Sequence, residues 1–83
     1  MPNEQAKEKL RVLGTRVQGR SLNAAEQRQV EEIIEARRPS TREAVKGILA
    51  ESLGRSPNEV RSQLASHDDS DRLIDDIINL LGK

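Results

Sequence analysis

Few residues of this 83-residue chain have the chemistry to bind a metal or attack a substrate. The one histidine, His67, stands in the run Ser66-His67-Asp68-Asp69-Ser70-Asp71, where an imidazole and neighbouring carboxylates invite a metal-site reading. No cysteine or second histidine supports it, and the run lacks the glycine and closing glutamate of a twelve-residue calcium loop. Acids are favoured at the positive end of a helix, so these aspartates are expected to open one and to bind no metal. None of the serines sits in a Gly-x-Ser-x-Gly elbow, and His67 has only sequence-local acids beside it. The carboxylate pairs Glu31–Glu32 and Asp75–Asp76 are adjacent, so on a helix they diverge. Neither enzymatic activity nor a cofactor is expected.

Recognition chemistry is better represented. Arg55, Ser56, Asn58, Arg61 and Ser62 lie within one short stretch. Arginine and asparagine have the geometry to read guanine and adenine edges, which suits Asn58 and Arg61, with Ser62 beside them. Arg55, Ser56 and the free amides of a helix start suit phosphate. A second candidate surface is aliphatic: Ile77, Leu80 and Leu81 near the carboxyl end are expected to reach a protein partner, in the first place a second copy of the chain. Arg37-Arg38-Pro39-Ser40 matches a basic-directed kinase consensus, but Ser40 is already accounted for as a helix cap.

Composition narrows the classes further. Fourteen basic and 14 acidic side chains cancel, so no bulk attraction to nucleic acid or membrane is expected. There is no aromatic residue, which leaves a core of Leu, Ile, Val and Ala and no ring to stack on a base. Readers of single-stranded nucleic acid, which depend on such rings, are disfavoured. Without cysteine there is no disulfide or thiolate chemistry. The polar opening MPNEQAKEKL and the absence of any long apolar run make a cytoplasmic protein the expectation, with no membrane partner.

The elements that position these residues are helices. Residues 3–18 place Ala6, Leu10, Leu13 and Val17 on one face, with Gly14 inside the pattern and Gly19 as a stop. Asn23-Ala24-Ala25-Glu26 reads as a capping box opening a second helix, whose buried stripe is Val30, Ile33 and Ile34, with Ala24 and Ala25 in tighter contacts. Pro39 ends it. Ser40 opens a third helix running to about Leu53 with Ala44, Val45, Ile48, Leu49 and Leu53 inward. The fourth spans about 57–65, and a fifth begins near Ser70 and runs to Gly82. The expectation is an all-α compact bundle of about five short helices in one domain: a first helix within 1–19, a three-helix unit over 22–65, and a C-terminal amphipathic helix over 70–82.

The third and fourth helices meet at Gly54, Arg55 and Ser56. A glycine able to turn left-handed, then a Ser-Pro-Asn-Glu cap, makes a helix-turn-helix outline. The run LGRSPNEVRSQL resembles the third-helix region of Myb/SANT-type domains, and Leu22-Asn23-Ala24-Ala25-Glu26 is similar to their first-helix opening. The family's tryptophans are absent here. The resemblance implies a recognition helix at about 57–65 in the major groove of double-stranded DNA, presenting Asn58, Arg61 and Ser62, with Arg55 and Ser56 on phosphate. Residues 1–64 hold 12 basic and nine acidic side chains against two and five in 65–83, so any DNA binding is expected to be weak or dimer-dependent. Asp69-Ser70 also resembles the Asp-Ser pair that carries the prosthetic arm of acyl carrier proteins, but only over those two residues; a plain cap at Ser70 explains the same letters. Two readings follow: a small helix-turn-helix DNA-binding regulator, or a helical protein-interaction module, adaptor or inhibitor, that binds no DNA. Basic side chains gathered on one face favour the first; exposed aliphatic surface favours the second.

Overall fold

A computed structural model describes residues 4–82. Its elements are α1 (Glu4–Gln18), α2 (Ala24–Arg37), α3 (Arg42–Leu53), α4 (Pro57–Ala65) and α5 (Ser70–Leu81), with no strand among the described residues. The fold is all-α. Each boundary has a local cause. Asn23 accepts from the Glu26 amide while Glu26 accepts from the Asn23 amide, closing a full capping box. Ser56 accepts from the Glu59 amide at 3.1 Å, and Pro57 fills the first position of α4. Gly19 and Gly54 close α1 and α3 with positive φ, 73° and 68°.

Two expected caps move by one residue. Thr41, not Ser40, accepts from the Ala44 amide and opens α3. At α5, Asp69 holds the cap position and Ser70 is the first helical residue. Asp69 makes no cap hydrogen bond because its carboxylate is committed elsewhere: Arg16 donates to it at 2.8 and 3.3 Å. Ser70 accepts from the same guanidinium and is only 3% exposed, which also removes it as an accessible attachment point for a prosthetic arm.

α1 and α3 each pack against all of the other four helices and together hold the bundle. Leu10 and Leu13 of α1 are fully buried with Val30 and Ile34 of α2, Val45 and Leu49 of α3, Val60 and Leu64 of α4, and Ile74 and Ile77 of α5. α5 runs antiparallel to α1, stitched by Arg16–Asp69 at 2.8 Å and Lys9–Asp76 at 3.7 Å. α4 rests on α3 and α1, and α2 makes no extended contact with it. Within 22–65, α3 joins α2 to α4, and α1 packs on all three.

Several side chains sit differently from the sequence reading. Ala24, Ala25 and Ala44 are exposed, and Ile33 is only half-buried against the core. Leu22 packs on Gly14, where a Cβ would overlap a Leu22 methyl and come within 3.1 Å of its Cγ. The accessible surface is 4907 Å², close to the ~5,000 Å² that mass scaling gives for a compact monomer of 9.3 kDa. The small aliphatic core thus closes without help from a partner.

Candidate interaction surfaces

The corner between α3 and α4 has the expected shape. Gly54 turns left-handed, the Arg55 amide donates to the Ala50 carbonyl at 2.9 Å, and Ser56 starts the next helix. α4 holds to the core by Val60 and Leu64 alone, with Asn58, Glu59, Arg61, Ser62 and Gln63 all exposed. Its cations are not free, however. Arg55 donates to Gln18 at 2.7 Å and to Glu59 at 3.3 Å. Arg61 donates to Glu43 at 2.9 Å and to Asn58 at 3.3 Å. Arg55 thus leans toward α1 and Arg61 toward the start of α3, so the two do not combine into one basic face.

The same pairing runs through the surface. Arg61–Glu43 continues through Lys46 to Asp71, then through Arg42 to Asp75, linking α4, α3 and α5. Hydrogen bonds from Arg42 hold the Asp75 carboxyl below its ordinary range, and Asp75 in turn raises the Arg42 pKa. Arg20 and the Asn23 amide lower Glu26 to about 2, and Arg37 lowers Glu51. Of the described lysines and arginines only Arg28 and Arg72 have no partner, while Arg38 donates to the Leu81 carbonyl at 3.2 Å.

On α5 the expected partner residues divide. Ile77 is fully buried and Leu81 is 8% exposed, both within the core, so neither is available to a partner. Leu80 alone is partly accessible, in a shallow concavity of about 280 Å³ with Gln5, Lys9, Asp76 and Asn79. The stripe facing α1 and α3 is wider than the spacing suggested because α5 packs on both.

A larger concavity, about 440 Å³, lies between α1 and residues 19–23. Val12, Thr15 and Leu22 form its floor, and Glu8, Arg11, Arg16 and Ser21 its rim. Glu8 pairs with Arg11, and Arg16 is turned away toward Asp69. A third concavity, about 300 Å³, collects Lys46, His67, Asp68, Ser70 and Asp71. Lys46 pairs with Asp71 there at 3.6 Å while Asp68 stays exposed, and no group of acids or histidine with metal-holding geometry occurs among the described residues. No helix among them is long and apolar enough to cross a membrane.

The Val12–Leu22 groove was missed by sequence reasoning. Val12 falls outside the buried stripe of α1 and Leu22 sits between helices; only the vacancy at Gly14 hinted that something packs there. Compared with protein-family models, curated proteins and solved structures, the chain matches none.

Proposed function

We propose that this chain is a helical protein-interaction module. What supports the reading is the state of its cations: the arginines at the helix corner, Arg55 and Arg61, are each already paired with a carboxylate, Glu59 and Glu43. DNA affinity comes from cations that exchange mobile counterions for phosphate. A guanidinium that must first leave a tethered carboxylate, and leave it facing a phosphate, gains little. The chain's zero net charge adds no long-range attraction. The groove of Val12 and Leu22 offers instead the aliphatic surface that a protein partner uses.

DNA binding through α4 is the second reading, favoured by one observation. α4 exposes Asn58, Arg61, Ser62 and Gln63 beyond a well-formed corner, as a groove-entering helix must. Placing a photo-cross-linking residue at Ser21, on the groove rim, or at Asn58, on α4, separates the two in cells. The module reading expects a discrete protein adduct from Ser21, lost in Val12→Asp. A nucleic-acid adduct from Asn58, with none from Ser21, would establish the second reading instead.

A further inference from the structure

We infer that the Val12–Leu22 groove docks a second copy of this chain, about a two-fold axis that passes beside Val12 with the two α1 helices antiparallel. The inference deepens the interaction-module reading and rests on it.

The outward face of α1 is set by its inward one. Ala6, Leu10, Leu13 and Val17 are buried, which turns Glu8, Val12 and Thr15, at helical spacing, to the opposite side. Val12 is the only aliphatic residue on that side, and it adjoins Leu22 across the groove floor. That floor is preformed. Leu22 is seated on the bare Cα of Gly14, where a Cβ would collide with it, so the apolar wall does not fold away in the free protein.

The charges beside Val12 are self-complementary under one arrangement. A two-fold contact is isologous, so each position meets its mirror in sequence about the axis. With antiparallel helices centred on Val12, the residue four before the centre meets the residue four after it. Glu8 then faces Arg16 of the second copy, twice over, and Thr15 faces its Lys9. A parallel pairing would instead set Glu8 against Glu8 and Arg16 against Arg16. Within its own chain Glu8 accepts from Arg11 through one carboxylate oxygen, and Arg16 gives its terminal nitrogens to Asp69 and Ser70; the other carboxylate oxygen and the remaining donors of a five-donor guanidinium leave room for the contact between copies.

The contact is small. About two turns of helix and one loop cover less than the roughly 800 Å² per partner of a standard interface. Since the monomer closes its own core, association is weak, at micromolar to sub-millimolar concentration, and the fold survives its loss.

The chain has no cysteine, which makes the test direct. Two cysteines form a disulfide only when their Cα atoms come within about 7 Å, a separation available at a two-fold axis. Under mild oxidation at high micromolar concentration, Val12→Cys should yield a covalent dimer at least tenfold faster than Leu80→Cys, which lies on the α1–α5 seam. Sedimentation equilibrium of the unmodified chain should show mass rising toward the dimer between micromolar and millimolar concentration. Val12→Asp and Glu8→Arg should hold it at monomer mass with the helical melting curve retained. Monomer mass across the whole range, or cross-linking no faster at Val12→Cys than at Leu80→Cys, overturns the proposal. Neither measurement involves another protein, so a negative result leaves the interaction-module reading to its own cross-linking test.

Discussion

Gly54 lends itself to a graded test of how the corner is built. Its backbone lies at φ 68° and ψ 32°, and nothing stands within 4 Å of where a Cβ would sit. Any cost of a side chain there is therefore conformational, with no packing component. Holding an L-residue left-handed costs about 1–2 kcal/mol. Asn, which tolerates that region, should fall below Ala, and a β-branched Val should lie above it. In a domain of this size 1 kcal/mol moves the midpoint by about 4–8 °C, so Gly54→Ala should melt roughly 5–15 °C lower. Circular dichroism melts of Gly54→Asn, →Ala and →Val should rank in that order of increasing loss. Equal midpoints for all three and for the parent would refute the left-handed turn; a large loss for Asn alone would mean the side chain meets an obstacle absent here.

Other changes probe separate features. Ser52 is 7% exposed and its hydroxyl has no partner, so Ser52→Ala should be neutral or stabilising by up to about 1 kcal/mol in urea unfolding, and a clear loss would reveal a missed bond. Arg38 combines a left-handed backbone, φ 44°, with a hydrogen bond to the Leu81 carbonyl at the negative end of α5. Arg38→Gly trades the bond for relief of that backbone and should change stability little, while Arg38→Ala keeps the strain and should be the less stable of the two by about 1 kcal/mol. Glu26, Glu51, Asp69 and Asp75 have carboxyl pKa values held below their ordinary range, chiefly by hydrogen bonds from arginine. Their contribution is complete above an unfolded value of about 4 and is lost as pH falls toward the folded values, near 2 for Glu26. Denaturation midpoints should be flat from pH 7 to about 5 and decline below about 4; Glu26→Gln should shallow that decline, and an unaltered slope would contradict the assignment.

Much of the fold was legible because its signals are local. The caps at Asn23 and Ser56, the stops at Gly19 and Gly54, and the spacing of Leu10, Leu13, Ile48 and Leu49 place five helices with boundaries near those observed. The one-residue shifts at Ser40 and Ser70 share a local origin, since each neighbours another cap-competent residue, Thr41 and Asp69; at the second, Arg16 also bonds both candidates. On α5 six aliphatic side chains left the inward direction ambiguous, and only packing against both α1 and α3 shows that Ile77 and Leu81 point in while Leu80 stays half-accessible. The candidate site was least legible of all. Arg61 meets Glu43, and Arg55 meets Gln18, across separations that no sequence period encodes. Val12 and Leu22 become neighbours only because Gly14 lets the chain after α1 fold back onto it.

The reading of this chain as a protein-interaction module stands most directly on the pairing of Arg55 and Arg61 with Glu59 and Glu43. A titration against unrelated DNA duplexes at low and at moderate salt measures its consequence. The module reading predicts no saturable binding even at low salt, and an increase in non-specific binding once Glu43→Gln and Glu59→Gln free the arginines. Saturable binding by the unmodified chain, with affinity falling steeply as salt rises, would contradict it.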